Sequence, residues 1–432
     1  MPITNCRSCC SDGLHIILDL GRQPIANALL SEEELNHPEA KFDLAVAFCP
    51  ACALLQVTET VPSEVLYRRD YPYFSSSSPA LLKHSAKHVE ALIRKYELGP
   101  RSFIVEVASN DGYLLRNFVN KGIACLGVDP ADGPVAQANA SGVPTIHDFF
   151  GSQAGKRLAS EGKLADVVIA NNVIAHVDDI NDFVAGFAHL LKPIGVAVFE
   201  FAYAVDLIEH CEFDTIYHEH LFYHTLHGLT PLFRRHGLYL NDVERLPIHG
   251  GSLRLTVSRT PSRSAQLDAL FAEEARLGID KLAFYNDFAD RVRTLRQSLA
   301  GLLVSERAKG KRIACYGAAA KGATLVNYLD LGEGFFEFVV DANPYKQGKY
   351  MPGQRIPIRH PNQLLVDQPE HILLLVWNFA GEVLRQQAPY RKCGGSFIIP
   401  VPEPRIVLPD TPIDDTQFAI SSGLHSATPH AS

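Results

Sequence analysis

Phe103-Ile104-Val105-Glu106-Val107-Ala108-Ser109-Asn110-Asp111-Gly112-Tyr113-Leu114-Leu115-Arg116-Asn117-Phe118-Val119 decides the fold. Its first six residues are a short apolar run, the pattern of a buried strand, and Ser109 to Gly112 is a run of turn formers. A helix is expected to start at Tyr113. Strand, turn and helix in that order open a doubly wound α/β sheet, whose ligands bind outside the carboxyl ends of the strands. More strands follow outward. Cys125-Leu126-Gly127-Val128 ends in Asp129-Pro130, and Ile146-His147 runs into Asp148-Phe149-Phe150. Val167-Val168-Ile169-Ala170 ends in Asn171-Asn172 and leads to His176, and Lys192-Pro193-Ile194-Gly195 turns into Val196–Phe201.

The turn after the first strand departs from G-x-G-x-x-G, because Ala108 and Asn110 hold the glycine places. A close backbone approach to pyrophosphate is therefore disfavoured. S-adenosylmethionine carries no pyrophosphate, and Glu106-x-Ala108-x-Asn110-x-Gly112 fits the looser acidic turn of its methyltransferases. A carboxylate at Asp129 can accept both ribose hydroxyls of an adenosine. Pro130, Asp148, Phe149 and Asn171 at neighbouring strand ends complete the expected cofactor site. Each acid could equally be a helix cap or a first-turn charge.

Cys6-x-x-Cys9 and Cys49-x-x-Cys52 offer four thiolates from two tight turns, which suits a tetrahedral zinc ion. Four protein ligands leave no position for water, so such an ion holds the fold. Cys10 is a spare thiol. The alternatives are reduced buried thiols or a redox pair. Leu18 to Asn27, between the knuckles, is expected to form a strand and a turn. Tyr71-Pro72-Tyr73-Phe74 followed by Ser75 to Ser78 could line a ligand pocket through Tyr71 and Tyr73. It could also be a linker whose serine caps a helix over Pro79–Tyr96.

Toward the carboxyl end, Ala265–Lys309 has helical apolar spacing. Arg312-Ile313-Ala314-Cys315-Tyr316-Gly317-Ala318-Ala319-Ala320-Lys321 then gives a second strand and small-residue turn, whose helix N-terminus could receive a phosphate, with Lys321 adding a charge. Phe338-Val339-Val340-Asp341 ends the next strand, which keeps a nicotinamide-dependent oxidoreductase or epimerase in play. Asn343, Lys346 and Trp377-Asn378 lie at strand ends. They are either substrate contacts or plain surface.

Chemistry concentrates in Glu212-Phe213-Asp214-Thr215-Ile216-Tyr217-His218-Glu219-His220. An imidazole with a pKa near 6.5 accepts protons around neutrality, a carboxylate can orient it, and a phenol can donate to a developing anion. If the run is extended, His218 and His220 share one face; if it turns, all four side chains could converge. A solvated polar loop, one histidine hydrogen-bonded in the core, and a metal pair are the competing readings. The zinc-protease order His-Glu-x-x-His is absent. The whole chain has 432 residues, 47% hydrophobic and 20% charged, with a net charge of −8. No basic excess draws it to nucleic acid, and no apolar run approaches membrane-spanning length. A cytoplasmic protein with no obligate protein partner is expected.

Four stretches together carry a resemblance: Glu106–Leu115, Asn171-Asn-Val-Ile-Ala-His-Val177, Phe213-Asp-Thr-Ile-Tyr-His-Glu-His-Leu221 and His249-Gly-Gly-Ser-Leu-Arg254. The sequence resembles the three-domain sugar C-methyltransferases, which act on nucleotide-linked 4-keto-deoxysugars. The resemblance implies a class I methyltransferase (Rossmann-like) central domain at 71–262, a zinc-binding module at 1–70 and a Rossmann-like α/β lobe at 263–410 that binds substrate. A disordered tail at 411–432 is expected to follow. It also implies S-adenosylmethionine as methyl donor and structural zinc. His220 becomes the catalytic base, with Glu219 supporting it and Tyr217 and His176 around the reacting carbon. His249, Ser252, Arg254, Lys321, Asn343 and Asn378 join Tyr71 and Tyr73 as expected contacts of a nucleotide-diphosphate sugar. A non-sugar enolisable acceptor is the other substrate class open to the same cluster.

Overall fold

The computed structural model describes residues 3–62, 66, 74–248 and 250–413. Tyr71, Tyr73 and His249, and the tail from residue 414, lie outside the described residues. In chain order the strands are β1 (His15–Pro24), β2 (Lys41–Phe48), β3 (Leu55–Val57), β4 (Phe103–Val107), β5 (Ala124–Asp129) and β6 (Thr145–His147). There follow β7 (Ala165–Asn171), β8 (Leu191–Ala202), β9 (Phe222–Tyr223), β10 (Tyr239–Leu246), β11 (Ser252–Ser258) and β12 (Ile313–Tyr316). The last are β13 (Val339–Val340), β14 (Ile358–Arg359), β15 (His371–Leu374), β16 (Ser396–Ile399) and β17 (Arg405–Val407).

Among the described residues these strands form three sheets. The central one has the order β10-β11-β8-β7-β4-β5-β6. Its strands from β8 to β6 run parallel, while β11 is antiparallel to both its neighbours. Parallel strands buried on both faces need continuous apolar sequence, and Val167, Val168, Ile169 and Ala170 are fully buried. The order reverses beside β4, which puts the crevice outside the carboxyl ends of β4 and β7. The carboxyl-terminal sheet, β14-β13-β12-β15-β16-β17, has the same doubly wound plan, with β17 alone antiparallel.

The amino-terminal sheet is antiparallel, and its fourth strand comes from far along the chain: the order is β1-β2-β3-β9. β9 is the pair of residues just after the His218–His220 turn. This module lacks a large core of its own. Leu44, Val46 and Phe48 pack through Phe213 and Ile216 into the helix Phe288–Ala308 and the carboxyl-terminal sheet. Cys6, Cys49 and Cys52 pack into the face of the central sheet that carries Val105 and Phe199.

Two expected elements differ. The helical stretch 265–309 is two helices, Ala265–Leu277 and Phe288–Ala308. Gly278 stops the first in a left-handed cap, and its N–H bonds the Glu274 carbonyl at 3.0 Å, a geometry that overrides continued apolar spacing. After Gly112 the chain first makes turns, and the helix is only Arg116–Val119. Ser78 does cap the helix Pro79–Lys95, accepting from the Leu81 N–H at 3.3 Å. No helix among the described residues is long and apolar enough to cross a membrane.

Candidate active site

The four knuckle cysteines converge. The Sγ atoms of Cys6 and Cys52, and of Cys9 and Cys49, are 3.6 Å apart, and all four lie within 4.8 Å of one another. A tetrahedral zinc with bonds of about 2.3 Å spaces its sulfurs by roughly 3.8 Å, so the residues fit the ion. The first knuckle is tied to the central domain. Asn181 Nδ2 donates to the carbonyls of Arg7 and Ser8 at 3.1 and 2.9 Å, and Arg235 donates to Ser8 Oγ.

The turn after β4 is held in an unusual backbone form, with φ of 55° at Ala108, 49° at Asn110 and 74° at Gly112. Asp129 holds it there. Its Oδ2 accepts the Asn110 N–H at 2.8 Å and its Oδ1 accepts the Ala131 N–H at 2.9 Å. From above, the serine run grips the same turn: Ser75 N–H donates to Asn110 Oδ1 at 2.8 Å and Ser76 N–H to Asp111 Oδ2 at 3.2 Å. Burial, then the charges of Asp129 and Asp111, push the Glu106 carboxyl well above the usual carboxylate range. Glu106 Oε2, Ser109 Oγ and Asn171 Oδ1 are buried with no protein partner. An unpaired buried polar group costs about 1–3 kcal/mol, so three at one strand-end crevice suit a polar ligand such as an adenosine. Of the other expected cofactor contacts, Phe149 is exposed, the Pro130 carbonyl accepts from His147 at 2.7 Å, and Asp148 accepts from Arg157 at 2.6 Å.

The 212–220 run neither stays extended nor converges. Phe213–Thr215 is a 3-10 turn, and the His220 N–H then bonds the Tyr217 carbonyl at 2.9 Å in a second turn. The side chains part company there. His218 is buried against the amino-terminal sheet, its Nε2 donating to the Asp43 carbonyl of β2 at 3.2 Å. Glu219 is buried too, and Asn27 Nδ2 donates to its two oxygens at 2.9 and 2.8 Å. His220 is half-buried and is held by two other groups: its Nδ1 lies 3.0 Å from the Thr215 carbonyl and its Nε2 2.7 Å from the Tyr217 hydroxyl. The rings of Tyr217 and His220 are tilted, with centres 4.0 Å apart, and His176 meets His220 edge-on at 4.7 Å. Burial pushes the His176 imidazole down to about 4, with the Glu219 carbonyl opposing, and pushes the Glu219 carboxyl up to about 7 against the Asn27 amide. The structure thus groups Tyr217, His220 and His176, while the Glu219 carboxylate is engaged with Asn27. Sequence reasoning left Asn27 in a turn and gave it no role; nothing local marks a partner so distant along the chain.

The expected substrate contacts are more scattered. Arg254, on β11, shares its guanidinium with Glu200 at 2.9 Å, Glu244 at 2.8 Å and His84 at 3.2 Å. Ser252 donates to the Ile248 carbonyl at 3.0 Å, and Asn343 Oδ1 accepts the Tyr345 N–H at 3.0 Å. Ser252 and Asn343 are engaged within the fold, while Arg254 keeps its Nε buried without a partner. Lys321 is half-buried, donates to Asn378 Oδ1, and sits 4.2 Å from the Trp377 ring centre. It faces protein carboxylates: burial lowers its pKa, and Asp214 and Glu212 oppose that. The Trp377 indole N–H in turn donates to Asp214 Oδ2 at 2.6 Å, and Thr324 Oγ1 donates to the Ile216 carbonyl at 3.1 Å. The helix that begins after Gly317 therefore meets the 212–220 segment, where a phosphate was expected.

Three family models match successive parts of the chain. Residues 6–67 match the family model of a zinc-binding domain, 81–243 that of a methyltransferase domain, and 247–402 that of a C-methyltransferase C-terminal domain. The chain belongs to the S-adenosylmethionine-dependent C-methyltransferases that carry an amino-terminal zinc-binding domain. It is 35% identical over 410 residues to C-methyltransferase NovU of Streptomyces niveus, covering 94% of this chain and 97% of that one. A ubiquinone biosynthesis O-methyltransferase of Azorhizobium caulinodans is 31% identical over 97 residues, 22% of this chain and 38% of that one. Among solved structures, magnesium protoporphyrin IX methyltransferase of Synechocystis with bound SAH is 14% identical at a TM-score of 0.33, covering 41% of this chain and 83% of that one. With the family, the nicotinamide-dependent alternative falls.

Proposed function

We propose that this C-methyltransferase acts on a nucleotide-diphosphate 4-keto-deoxysugar, removing a proton from the carbon beside the ketone and methylating the resulting enolate. The observation that carries the chemistry is the orientation of His220. Its Nδ1 faces a carbonyl, which accepts only, so the proton of the neutral ring belongs on Nδ1 and the lone pair on Nε2. That lone pair meets the Tyr217 hydroxyl at 2.7 Å. In the reaction Nε2 takes the proton as the C–H bond breaks, and the Tyr217 hydroxyl turns to donate to the enolate oxygen. His176, held neutral by burial, lies edge-on beside the same ring and adds no charge to the site. S-adenosylmethionine supplies an activated methyl group, to which the enolate carbon bonds as the carbon–sulfur bond breaks. The imidazolium then releases its proton to solvent.

The sugar rests on the resemblance carried by the Asp214-to-His220 run. A non-sugar ketone with an acidic neighbouring C–H would meet the same groups. A panel of nucleotide 4-keto-sugars incubated with enzyme and S-adenosylhomocysteine in heavy water separates the two. The matching ketone should exchange the hydrogen beside its carbonyl without methylation. His220→Asn should lose exchange and methylation by about 10²–10⁴ while binding both ligands, and His218→Asn, facing the other sheet, should cost much less. Near-normal exchange by His220→Asn would remove His220 from the role of base.

A further inference from the structure

We infer that Asn27, in the zinc-binding module, is a positioning residue for the proton abstraction: its side-chain amide holds the Glu219 carboxylate and, with it, the turn that sets His220 against His176. This rests on the reading of His220 as the base. Asn27 sits in the turn that follows β1, where Ile25 and Ala26 are buried and the Leu29 N–H bonds the Asn27 carbonyl at 2.9 Å. The side chain itself is exposed and reaches over to a carboxylate that is only 2% exposed. Its amide nitrogen lies 2.9 and 2.8 Å from the two oxygens, bridging them. No other residue supplies a hydrogen-bond donor to that carboxylate among the described residues.

Glu219 then acts in two directions. Its carbonyl opposes the burial that lowers the His176 imidazole. Its peptide lies inside the turn closed by the Tyr217 carbonyl and the His220 N–H. A carboxylate swung away from Asn27 would carry this backbone with it, and small misplacements of reacting groups cost rate steeply. Asn27 also favours the charged form of Glu219, since an amide N–H donates to a carboxylate better than to an acid. Burial pushes the other way and raises the group to about 7. The titratable groups of the same segment and of the elements packed on it are the His176 and His220 imidazoles, the Tyr217 phenol, and His218 with Asp43 behind it, and none of them shifts this carboxyl. None of these is a fixed cation, so Asn27 is the group that offsets burial.

The test is an infrared titration of the S-adenosylhomocysteine complex, with Glu219→Gln subtracted to assign the carboxyl band. The band should titrate near pH 7 in the wild type. In Asn27→Ala it should move up by about one pH unit; in Asn27→Asp, which sets two acids side by side, by more. Asn27→Ser, keeping one donor, should fall between wild type and alanine and guards against a variant that fails to fold. In turnover the acidic limb of the kcat profile should rise in step, kcat at pH 7 should fall roughly ten- to hundredfold, and cofactor KM should hold. In the Glu219→Gln background, Asn27→Ala should move no limb. An unmoved carboxyl band, or an unmoved limb in Asn27→Ala, would overturn the proposal. Wild-type enzyme that exchanges no ketone would instead strike the base assignment and leave the infrared result standing.

Discussion

Two doubly wound units stand in one chain, and both use the same backbone device. In the central unit the carboxylate of Asp129, ending β5, accepts N–H groups from Asn110 and Ala131; in the carboxyl-terminal unit that of Asp341, just past β13, accepts them from Ala318 and Asn343, each at 2.8 Å. The difference lies in what surrounds the turn. The first leaves Glu106, Ser109 and Asn171 with buried unpaired atoms. The second is filled by its own protein. A Cβ on Gly317, where φ is 91°, would come within 2.5 Å of Val376, and Lys321 faces Trp377, Asn378 and the Glu212–Asp214 carboxylates. A shared fold thus leaves unpaired polar atoms at the turn in one unit and grips the 212–220 segment in the other. Fold alone does not assign the job; the side chains at the turn do.

The strongest way to break this comparison is to remove the module that braces both units. Native protein should contain one zinc by elemental analysis. Cys49→Ser should lose the metal and, because β3 and β9 pair just beyond that knuckle, lose activity as well, with thermal unfolding starting in this module. Zinc-free native protein would end that account. A smaller effect separates the two acids. Asp129→Ala should weaken S-adenosylhomocysteine binding by about 1–3 kcal/mol, whereas Asp341→Ala should leave it unchanged and lower only stability. Titration calorimetry showing equal losses would erase the distinction.

The last expected effect, confined to one side of neutrality, concerns the grip itself. Burial raises Glu212 to about 7, against His210 and Lys321. An unfolded glutamate titrates near 4.3, so the folded state binds this proton more tightly. The stability from that proton is complete below about pH 4.3 and is lost as pH rises through about 7. Glu212→Gln should therefore be more stable than wild type at pH 8, by up to about 4 kcal/mol, and should gain nothing near pH 4. Denaturation at the two pH values checks this, and a gain independent of pH would mean that the carboxyl is not the cause.

The central sheet was legible because strands buried on both faces must be apolar runs, and Asp129 because it follows such a run. The knuckles were legible because zinc fixes their spacing. The site was legible only in part. Its residues were visible in Tyr217 to His220, but a turn sends His218, Glu219 and His220 to three different neighbours, and adjacent letters do not reveal that. Asn27 escaped because a polar pair bridging two modules has no periodicity. Gly278 carried its stop signal in plain view, outweighed by apolar spacing on either side.

The pairing of β9 with β3 has a consequence for how the chain is made. Leu55–Val57 emerges from the ribosome long before Phe222–Tyr223, and Asp214 waits through a similar length of chain for the indole of Trp377. Contacts so far apart in sequence close late, after the loop entropy between them is overcome. Until then β3 is an open edge, able to pair with a neighbouring chain. The turn that carries His220 is therefore among the last parts to take shape, and a nascent chain released before residue 377 carries all the letters of the candidate site without its geometry.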